Sequence, residues 1–408
     1  MVCAMPTPVA VETRSLSAQK LAQAKSLLKG CGLDAWLLAV RESKDRPDPS
    51  LHFFVEQDFT WNSYFLVTPE RSYALVATLD APDLERAGII EEIRTYKEGS
   101  RAALVKLIED ADPKTIGINV SEDDALADGL TAGLRDDLVA ALKNTPYAER
   151  LQSAEKLVGL LRGVKLPGEQ ALIRAVVTET ERIFDRVSGE FRIGMTAREI
   201  AALFHREAAS LGAPTAWPIR HCPTVTVGGH SPVGHVSPGN ERIVPGCIVH
   251  VDFGIVLNGY CSDLQRLWYV AGKGGSGIPE SALRAHASIV EAIEIAALAL
   301  VPGVVGWEVD QKARAHLVAG GYPEYAHALG HHLGRAVHDG AGVLGPRWER
   351  YGQAPYAIVR EGHVYTLEPS IHLPEHGLVS LEEDVVVGAS GAEFLSRFPR
   401  RMPLLTLT

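Results

Sequence analysis

Four acidic residues stand in apolar, strand-like parts of this sequence, where a protein core does not tolerate an isolated charge. Asp252 and Asp263 belong to the stretch CIVHVDFGIVLNGYCSDLQRL, and Glu368 and Glu382 belong to VYTLEPSIHLPEHGLVSLEEDVVVG. Like charges in such places repel one another unless a cation lies between them. The pattern points to metal-ion chemistry, and the alternative is an ion pair of one aspartate with Arg266 while the other is solvated at a sheet edge.

The first acidic pair is predicted to lie on a β-hairpin. Asn258 and Gly259 form the dipeptide that best supplies the two positive φ angles of a type I′ turn, and β-rich residues flank them. If these two residues form the turn, Asp252 lies opposite Gln265. Asp263 is two residues from Gln265, so it shares a face with Asp252, roughly 7–8 Å away at the backbone.

The second acidic pair is predicted to lie on another hairpin, whose turn is the PEHG segment at residues 374–377. Glu368 and Glu382 are equally distant from the middle of this turn, so they are candidates for a directly opposed cross-strand pair. Glu383 and Asp384 compete for the same role. By alternation Glu383 faces the other way, where it would be solvated or would support a ligand.

Four histidines occur within twelve residues of the segment YAHALGHHLGRAVHDGAG, residues 325–342, among glycines that permit close backbone approach. A lone histidine on an apolar face is usually a core residue, but this density favours a metal site. His331 can supply one neutral imidazole ligand, while His327 and His338 can contact a ligand or the substrate. His235, in GHSPVGHVSPG, is a further candidate near the first hairpin.

Four carboxylates and one imidazole form a set too negative for one divalent ion but well matched to two. Two ions about 3.5–4 Å apart can hold a bridging water, lower its pKa and polarise a carbonyl, which is the chemistry of metal-dependent hydrolysis. The carboxylate-rich set favours Mn²⁺, and the imidazole leaves Co²⁺ and Zn²⁺ open. No Gly-x-Ser-x-Gly motif suggests a serine nucleophile instead.

The N-terminal part of the chain is predicted to be an α/β domain with a small sheet, residues 1–160. Apolar residues at helical spacing predict a helix from Ser17 to Gly30. A helical stretch from Asp136 through Arg162 is expected to link this domain to the rest. The predicted strands are Ala35 to Val40, Tyr64 to Thr68, Tyr73 to Leu79 and Ile116 to Val120.

Residues 161–408 are predicted to form a second domain that contains an internal duplication. A long amphipathic helix begins at Pro167, and a second helix follows a capping box. About 109 residues later the same signals return after an alanine-rich helix. The repeated positions are Gly194, Glu199 and Gly212 in the first half and Gly303, Glu308 and Gly321 in the second.

Composition excludes several classes of function. The chain has 408 residues, a formal charge of -10 and no long basic run, which argues against nucleic acid or an anionic membrane as the main partner. It has no apolar run of 18 residues and no recognisable signal peptide. Its five cysteines are scattered without paired spacing, so a reduced, cytoplasmic protein is expected.

The segments VDFG…GYCSD, HALGHHLGRAVH, TLEP and SLEED, in this order, resemble the metal-binding signature of the pita-bread superfamily of prolidase, aminopeptidase P, methionine aminopeptidase and creatinase. The resemblance covers roughly residues 165 to 400. It implies a creatinase-like α/β domain followed by a pita-bread catalytic domain with a pseudo-two-fold duplication. It also implies that two divalent ions are held by Asp252, Asp263, His331, Glu368 and Glu382.

The resemblance further implies a role for each site residue. Asp263 and Glu382 would bridge the two ions, and Glu368 would handle the proton of a bridging hydroxide. His235 and His338 match histidines that contact the scissile peptide, and His327 matches one that lines the site.

The chain's length and the gap from Glu368 to Glu382 resemble a cytoplasmic, homodimeric Xaa-Pro dipeptidase more than a methionine aminopeptidase. The alternatives are an aminopeptidase P that acts on longer Xaa-Pro peptides, or a metal-free creatinase-like or peptide-binding relative. Two positions depart from the family's usual pattern. His332 stands where glycine is common, and Ser380 stands where many members carry arginine.

Overall fold

The chain divides into two compact units, Met1–Arg162 and Gly163–Thr408. The structure is a computed structural model, and it describes residues 13–232, 234, 236–272 and 277–407. Each unit buries its own set of apolar side chains. Among the residues described, no helix is long and apolar enough to cross a membrane.

The first unit is built around one mixed sheet. Its strands are β1 (Ala35–Val40), β2 (Ser63–Val67), β3 (Ser72–Ala77), β4 (Glu92–Tyr96), β5 (Ile116–Ile118) and β6 (Leu151–Ser153), in the order β4-β3-β2-β1-β5-β6. Its helices are α1 (Thr13–Leu28), α2 (Ala81–Ala87), α3 (Arg101–Ala111), α4 (Ala132–Leu142) and α5 (Glu155–Gly163). Successive residues of β1 enter two different cores, so both faces of the sheet are buried. This confirms the predicted α/β character.

The predicted continuous helix from Asp136 to Arg162 is wrong, because the chain between α4 and α5 contains a strand. Pro146 lacks the N–H that a continuing helix needs, and the Thr145 hydroxyl accepts the Tyr147 N–H instead. A 3-10 helix follows at Pro146–Arg150, after which β6 joins the sheet beside β5.

The second unit has four helices and several small sheets within its described residues. The helices are α6 (Pro167–Ser188), α7 (Ala197–Ser210), α8 (Glu280–Ala299) and α9 (Gly306–Ala319). The strands are β7 (Thr224–Val227), β8 (Ile248–Phe253), β9 (Val256–Leu257), β10 (Tyr260–Cys261), β11 (Leu264–Val270), β12 (Gly330–His331), β13 (Val343–Leu344), β14 (Val364–Leu367), β15 (Ser370–Leu373), β16 (Gly377–Ser380), β17 (Glu383–Val387), β18 (Ala392–Phe394) and β19 (Leu404–Leu405).

The predicted duplication is visible in the order of these elements. In the first half α6 and α7 precede the hairpin of β8 and β11, and in the second half α8 and α9 precede the hairpin of β14 and β17. The glycines before α7 and α9, Gly194 and Gly303, have φ angles of 82° and 96°. The capping box of α7 also forms, because the Thr196 hydroxyl accepts the Glu199 N–H and the Glu199 carboxylate accepts the Thr196 N–H. Each half therefore delivers one acidic hairpin.

Burial of a neutral histidine in α8 gives the fold a specific dependence on pH. His286 is only 3% exposed, its Nε2 has no hydrogen-bond partner, and burial lowers its pKa to about 4. The unfolded chain binds a proton there below about pH 6.5, whereas the folded chain does not, so stability is complete above that pH and falls as the pH drops. In His286→Leu, the loss of unfolding free energy between pH 7 and pH 5 should be about 2 kcal/mol smaller than in the wild type.

Urea unfolding at the two pH values measures this difference. Leu298, on the same helix as His286 and 79% exposed, supplies the control substitution Leu298→Ala, which removes no titratable group and should keep the pH dependence of the wild type. An identical pH dependence in His286→Leu and the wild type would show that His286 is not a buried neutral group.

Candidate metal centre

The first acidic hairpin folds as the sequence predicts. Asn258 and Gly259 have φ angles of 50° and 76°, the conformation of a type I′ turn. One register continues from the turn to the strand ends, and it places Asp252 opposite Gln265. Regular pairing is interrupted between the β9–β10 pair and the β8–β11 pair. At this interruption Gly254 lies so close to the Ser262 carbonyl that an added Cβ would be 2.0 Å from the oxygen. Asp263 follows Ser262 at this interruption.

The second acidic hairpin also keeps the predicted register. β14 pairs with β17 and β15 pairs with β16 about the same midpoint, Glu375. The pairs Leu367–Glu383 and Ser370–Ser380 flank an unpaired interval, and the shared register sets Glu368 opposite Glu382 within it. Both hairpins therefore interrupt their ladders at acidic residues, the first at Asp263 and the second at Glu368 and Glu382.

The histidine-rich segment lies along the free edge of β14. The N–H of Glu368 donates to the Leu329 carbonyl over 2.7 Å, and the N–H of Leu333 donates to the Val364 carbonyl over 3.1 Å. Gly330 makes this approach possible, because a Cβ there would lie 1.9 Å from the Thr366 carbonyl oxygen. The glycine before His331 thus sets the distance between the imidazole and the carboxylates.

The two hairpins meet through a bridge between Gln265 and Glu382. With the registers above, this bridge arranges the acidic residues in two adjacent cross-strand rows. The first row contains Asp252, Gln265, Glu382 and Glu368, and the second contains Asp263, Asp384, Thr366 and His331. All five residues of the predicted ligand set lie in these two rows.

The side chains converge at their tips. Ligand atoms of Asp263, His331 and Glu382 all lie within 4.8 Å of one another. His331 Nε2 is 3.6 Å from Asp263 Oδ2, 3.6 Å from Glu368 Oε1 and 3.9 Å from Glu382 Oε1. Asp252 faces the same cluster, since its charge acts on the pKa of Asp263, Glu368 and Glu382.

Burial and mutual repulsion make these carboxylates hard to ionise together. Burial raises the pKa of Asp252 to about 7. Burial, followed by the charges of neighbouring carboxylates, raises the pKa of Asp263 and of Glu382 well above the ordinary value. Burial and the charge of Asp252 do the same to the pKa of Glu368. A bound cation would reverse these shifts because it favours the ionised forms.

The donor set fits divalent cations. Buried oxygens of Asp252 (Oδ1), Asp263 (Oδ1) and Glu382 (Oε1) have no hydrogen-bond donor. Burial lowers the pKa of His331 to about 3, so its ring is neutral. Its Nδ1–H donates to the His332 carbonyl over 3.1 Å, which leaves the Nε2 lone pair directed at the carboxylates. Acceptors that face one another in this way need protons or a cation between them, and the oxygen-rich set suits a divalent cation.

The remaining three predicted histidines, His338, His327 and His235, are outside the ligand set, and the structure describes the first two. The His338 ring packs edge-on against His331, with centroids 4.3 Å apart. The Nδ1–H of His327 donates to the Ala328 carbonyl, so its Nε2 accepts from the Ser370 hydroxyl over 2.8 Å. His327 therefore lies beside the second hairpin, where its partner Ser370 follows Glu368 by two residues. His235 falls outside the described residues.

The structure decides two alternatives about the surrounding charges that the sequence leaves open. Arg266 does not pair with either aspartate, because its guanidinium donates to Glu383 over 2.8 Å and also to the Glu382 carbonyl. Glu383 is not solvated, because the face opposite the metal centre is also covered, and its carboxylate is fully buried with Arg266 and Ser396. Asp384 is fully buried as well and accepts the N–H of Asp263 over 3.2 Å, so it holds the backbone of a predicted ligand.

The two departures from the family pattern fill space without disturbing the cluster. The buried His332 ring stacks on Tyr365 at a centroid distance of 4.1 Å, beside Gly340, where a Cβ would meet the ring at 2.6 Å. Ser380 is buried, and its hydroxyl donates to the Pro369 carbonyl over 2.9 Å. Neither residue contributes a charge.

Sequence reasoning named Gln265 and Asp384 but missed that both support the ligands: Gln265 donates to Glu382, and Asp384 accepts the N–H of Asp263. The hairpin register already placed Gln265 opposite Asp252, so its position was predictable. Its neighbour Glu382 belongs to the other hairpin, 117 residues away, and no local pattern reveals that contact.

An α/β fold with two acidic hairpins around a carboxylate and histidine cluster defines a metal-dependent hydrolase of the pita-bread type. Residues 171–389 match metallopeptidase family M24, more than half of the chain. The protein therefore belongs to this family and is a peptidase.

Named relatives agree with the assignment. The chain is 28% identical to a protein named Xaa-Pro dipeptidase from Pyrococcus furiosus over 277 residues, which cover 67% of this chain and 74% of that one. The solved structure of an X-Pro aminopeptidase from Thermotoga maritima has a TM-score of 0.73 and 26% identity, and covers 94% of this chain and 100% of its own. A structure named Xaa-Pro dipeptidase from Bacillus anthracis has a TM-score of 0.74 at 21% identity, with coverage of 95% and 100%, and shows the shared fold.

The close approach at Gly330 predicts a measurable effect on metal binding. In Gly330→Ala the new methyl group cannot fit 1.9 Å from the Thr366 oxygen, so the His331 segment must move away from β14. We expect unfolding free energy to fall by about 1–3 kcal/mol and Mn²⁺ affinity to fall at least about tenfold. Calorimetric titration of the metal-free protein with Mn²⁺ measures the affinity.

The matched control is Gly133→Ala in α4, where an added Cβ meets nothing within 4 Å. Its Mn²⁺ affinity should equal that of the wild type. Wild-type affinity in Gly330→Ala would mean that the approach of this segment to β14 does not position His331.

Proposed function

We propose that this peptidase is an Xaa-Pro dipeptidase that uses two divalent ions. The observation that carries the proposal is the convergence of three carboxylates, those of Asp263, Glu368 and Glu382, on the His331 Nε2 lone pair. Buried oxygens of Asp252, Asp263 and Glu382 in the same cluster lack any donor. Relatives named Xaa-Pro dipeptidase support the substrate class. The proposed ligands are Asp252, Asp263, His331, Glu368 and Glu382, with Asp263 and Glu382 shared between the ions.

The chemistry of the donors indicates which ions suit this site. Four carboxylates carry enough charge for two divalent ions, and hard oxygen ligands favour Mn²⁺, with Co²⁺ and Zn²⁺ as alternatives because of the imidazole. When bound, such ions supply an acidified water and polarise the carbonyl of the substrate.

Glu368 is proposed to move the proton during hydrolysis. Its side chain is 21% exposed, against 2% for Glu382 and 8% for Asp263, so it is the most accessible of the three to a substrate. A carboxylate can accept a proton in one step and donate it in the next, which is the role proposed for Glu368. In this scheme Glu368 accepts a proton from the attacking water and delivers it to the proline nitrogen as the C–N bond breaks.

The histidines around the cluster are proposed to bind the substrate. His338 packs against His331 and can donate a hydrogen bond to the carbonyl oxygen, which becomes negative in the transition state. His235 is proposed to share this task. His327 is held by the Ser370 hydroxyl and the Ala328 carbonyl in one tautomer, so it can line the site with a fixed orientation.

One observation favours a second candidate function. A solved structure that shares the fold at a TM-score of 0.73 and 26% identity is named X-Pro aminopeptidase. An aminopeptidase P acts on peptides longer than two residues, so the substrate length separates the two candidates.

A peptide panel tests the proposal. The purified protein, stripped of metal and then loaded with Mn²⁺, Co²⁺ or Zn²⁺, should hydrolyse Ala-Pro faster than Ala-Pro-Ala, and a chelator should abolish both activities. A preference for the tripeptide would establish the aminopeptidase. Hydrolysis of Met-Ala with no cleavage of either proline peptide would overturn the substrate assignment.

Replacing the proposed proton carrier separates catalysis from metal binding. Glu368→Gln keeps the size of the side chain and one ligand oxygen but removes the exchangeable proton, so kcat for Ala-Pro should fall about 10²–10⁴-fold while part of the bound metal remains. Glu375→Gln, in the exposed turn of the same hairpin, is the control and should retain wild-type turnover. Wild-type kcat in Glu368→Gln would show that another group moves the proton.

A further inference from the structure

Gln265 stands at the junction of the two acidic hairpins. Its backbone exchanges hydrogen bonds with Glu382, N–H to carbonyl over 3.4 Å and 3.3 Å. In the first cross-strand row it lies between Asp252 and Glu382, and it is the one neutral residue among three acids. A side chain placed there must either donate to the carboxylates or add to their repulsion.

The amide of Gln265 donates to both glutamates. Its Nε2 lies 2.8 Å from Glu382 Oε2 and 3.2 Å from Glu368 Oε2. The other oxygen of each glutamate, Oε1, faces His331 Nε2 at 3.9 Å and 3.6 Å. Two donor hydrogens are available on one amide nitrogen, so both bonds can form at once. The amide thus fixes one oxygen of each carboxylate and leaves the other directed at the metal centre.

His250 fixes the orientation of this amide. Its Nε2 lies 2.9 Å from Gln265 Oε1, and since the amide oxygen only accepts, the His250 Nε2–H is the donor. Burial lowers the pKa of His250 to about 4, so the ring is neutral. A rotation of the amide by 180° would direct its oxygen at two carboxylates and its nitrogen at the His250 Nε2–H, and both contacts would be repulsive.

We infer that Gln265 is a positioning residue, oriented by His250, that holds Glu368 and Glu382 in the arrangement that binds metal. The inference rests on the proposed metal centre and names a part of it that lies outside the ligand set. A neutral donor stabilises both carboxylates without competing as a cation for the site. In its absence each carboxylate can rotate, and metal binding must then restrict that freedom.

Metal binding to the metal-free protein tests the inference without any substrate. Gln265→Leu should raise the Kd for Mn²⁺ about 10–100-fold. It should also change the visible absorption spectrum of the Co²⁺-loaded protein, because that spectrum depends on the geometry of the ligands. The matched control is Gln170→Leu, because the Gln170 amide donates to the Lys165 carbonyl and not to a carboxylate. It should retain the wild-type Kd and spectrum.

A second pair of variants tests the role of His250 and remains informative if Gln265→Leu fails to fold. His250→Gln places an amide nitrogen at nearly the same reach as the imidazole Nε2 and keeps a donor for Gln265. His250→Leu removes it. We expect His250→Gln to keep Mn²⁺ affinity within about threefold of the wild type and His250→Leu to lose about tenfold.

Two results would overturn the inference: a folded Gln265→Leu with wild-type Kd and Co²⁺ spectrum, or equal Mn²⁺ affinities in His250→Gln and His250→Leu. These outcomes differ from failure of the proposed function. A wild-type protein that binds Mn²⁺ but leaves Ala-Pro intact would refute the substrate assignment while the effect of Gln265 on metal affinity still stands.

Discussion

The repulsion among carboxylates that the fold forces together is the constraint on which the second unit depends. Asp252, Asp263, Glu368 and Glu382 all have raised pKa values because burial opposes their ionisation, and neighbouring negative charges add to this effect at the last three. Such a cluster costs free energy unless protons or cations neutralise it. The neutral His331 contributes a further lone pair and no charge. The protein therefore keeps a site that is unfavourable in isolation and is stabilised by what binds there.

The surrounding polar residues make this cluster tolerable without neutralising it. Arg266 directs its charge to Glu383 on the far side of the strand, and Asp384 accepts a backbone N–H and not a cation. Toward the cluster itself, Gln265 offers only neutral donors. A cation fixed in that position would occupy the electrostatic role of the metal. The ion pair of Arg266 and Glu383 is therefore separate from the ligand carboxylates, whose charges remain available to the metal ions.

Local patterns in the sequence were sufficient for the parts of the site that lie within one hairpin. The Asn258-Gly259 turn fixed the register of Asp252, and the symmetry about residue 375 set Glu368 opposite Glu382. Contacts between hairpins were beyond such patterns, since the bridge from Gln265 to Glu382 depends on how two distant segments pack. Glu383 shows the same limit. Alternation gives the face of a residue and leaves open whether Glu383 is solvated or supports a ligand, because the covering of that face depends on tertiary packing. Pro146 is a local sign in the sequence that the long linker helix breaks.

The duplication explains why the two acidic pairs are similar but not equivalent. Both halves present a hairpin with an interrupted ladder, at Asp263 in the first and at Glu368 and Glu382 in the second. The interruption leaves the N–H groups of Asp263 and Glu368 for other partners. In the first hairpin the two aspartates are diagonal, because the two-residue turn sets Asp252 opposite Gln265 and not Asp263. In the second, the glutamates are directly opposed, and the freed N–H of Glu368 binds the Leu329 carbonyl and so brings in His331. The diagonal offset leaves room for Gln265 between the pairs. One repeated hairpin thus provides two carboxylate pairs of different geometry. The diagonal pair leaves space for the amide of Gln265, and the directly opposed pair positions the imidazole of His331.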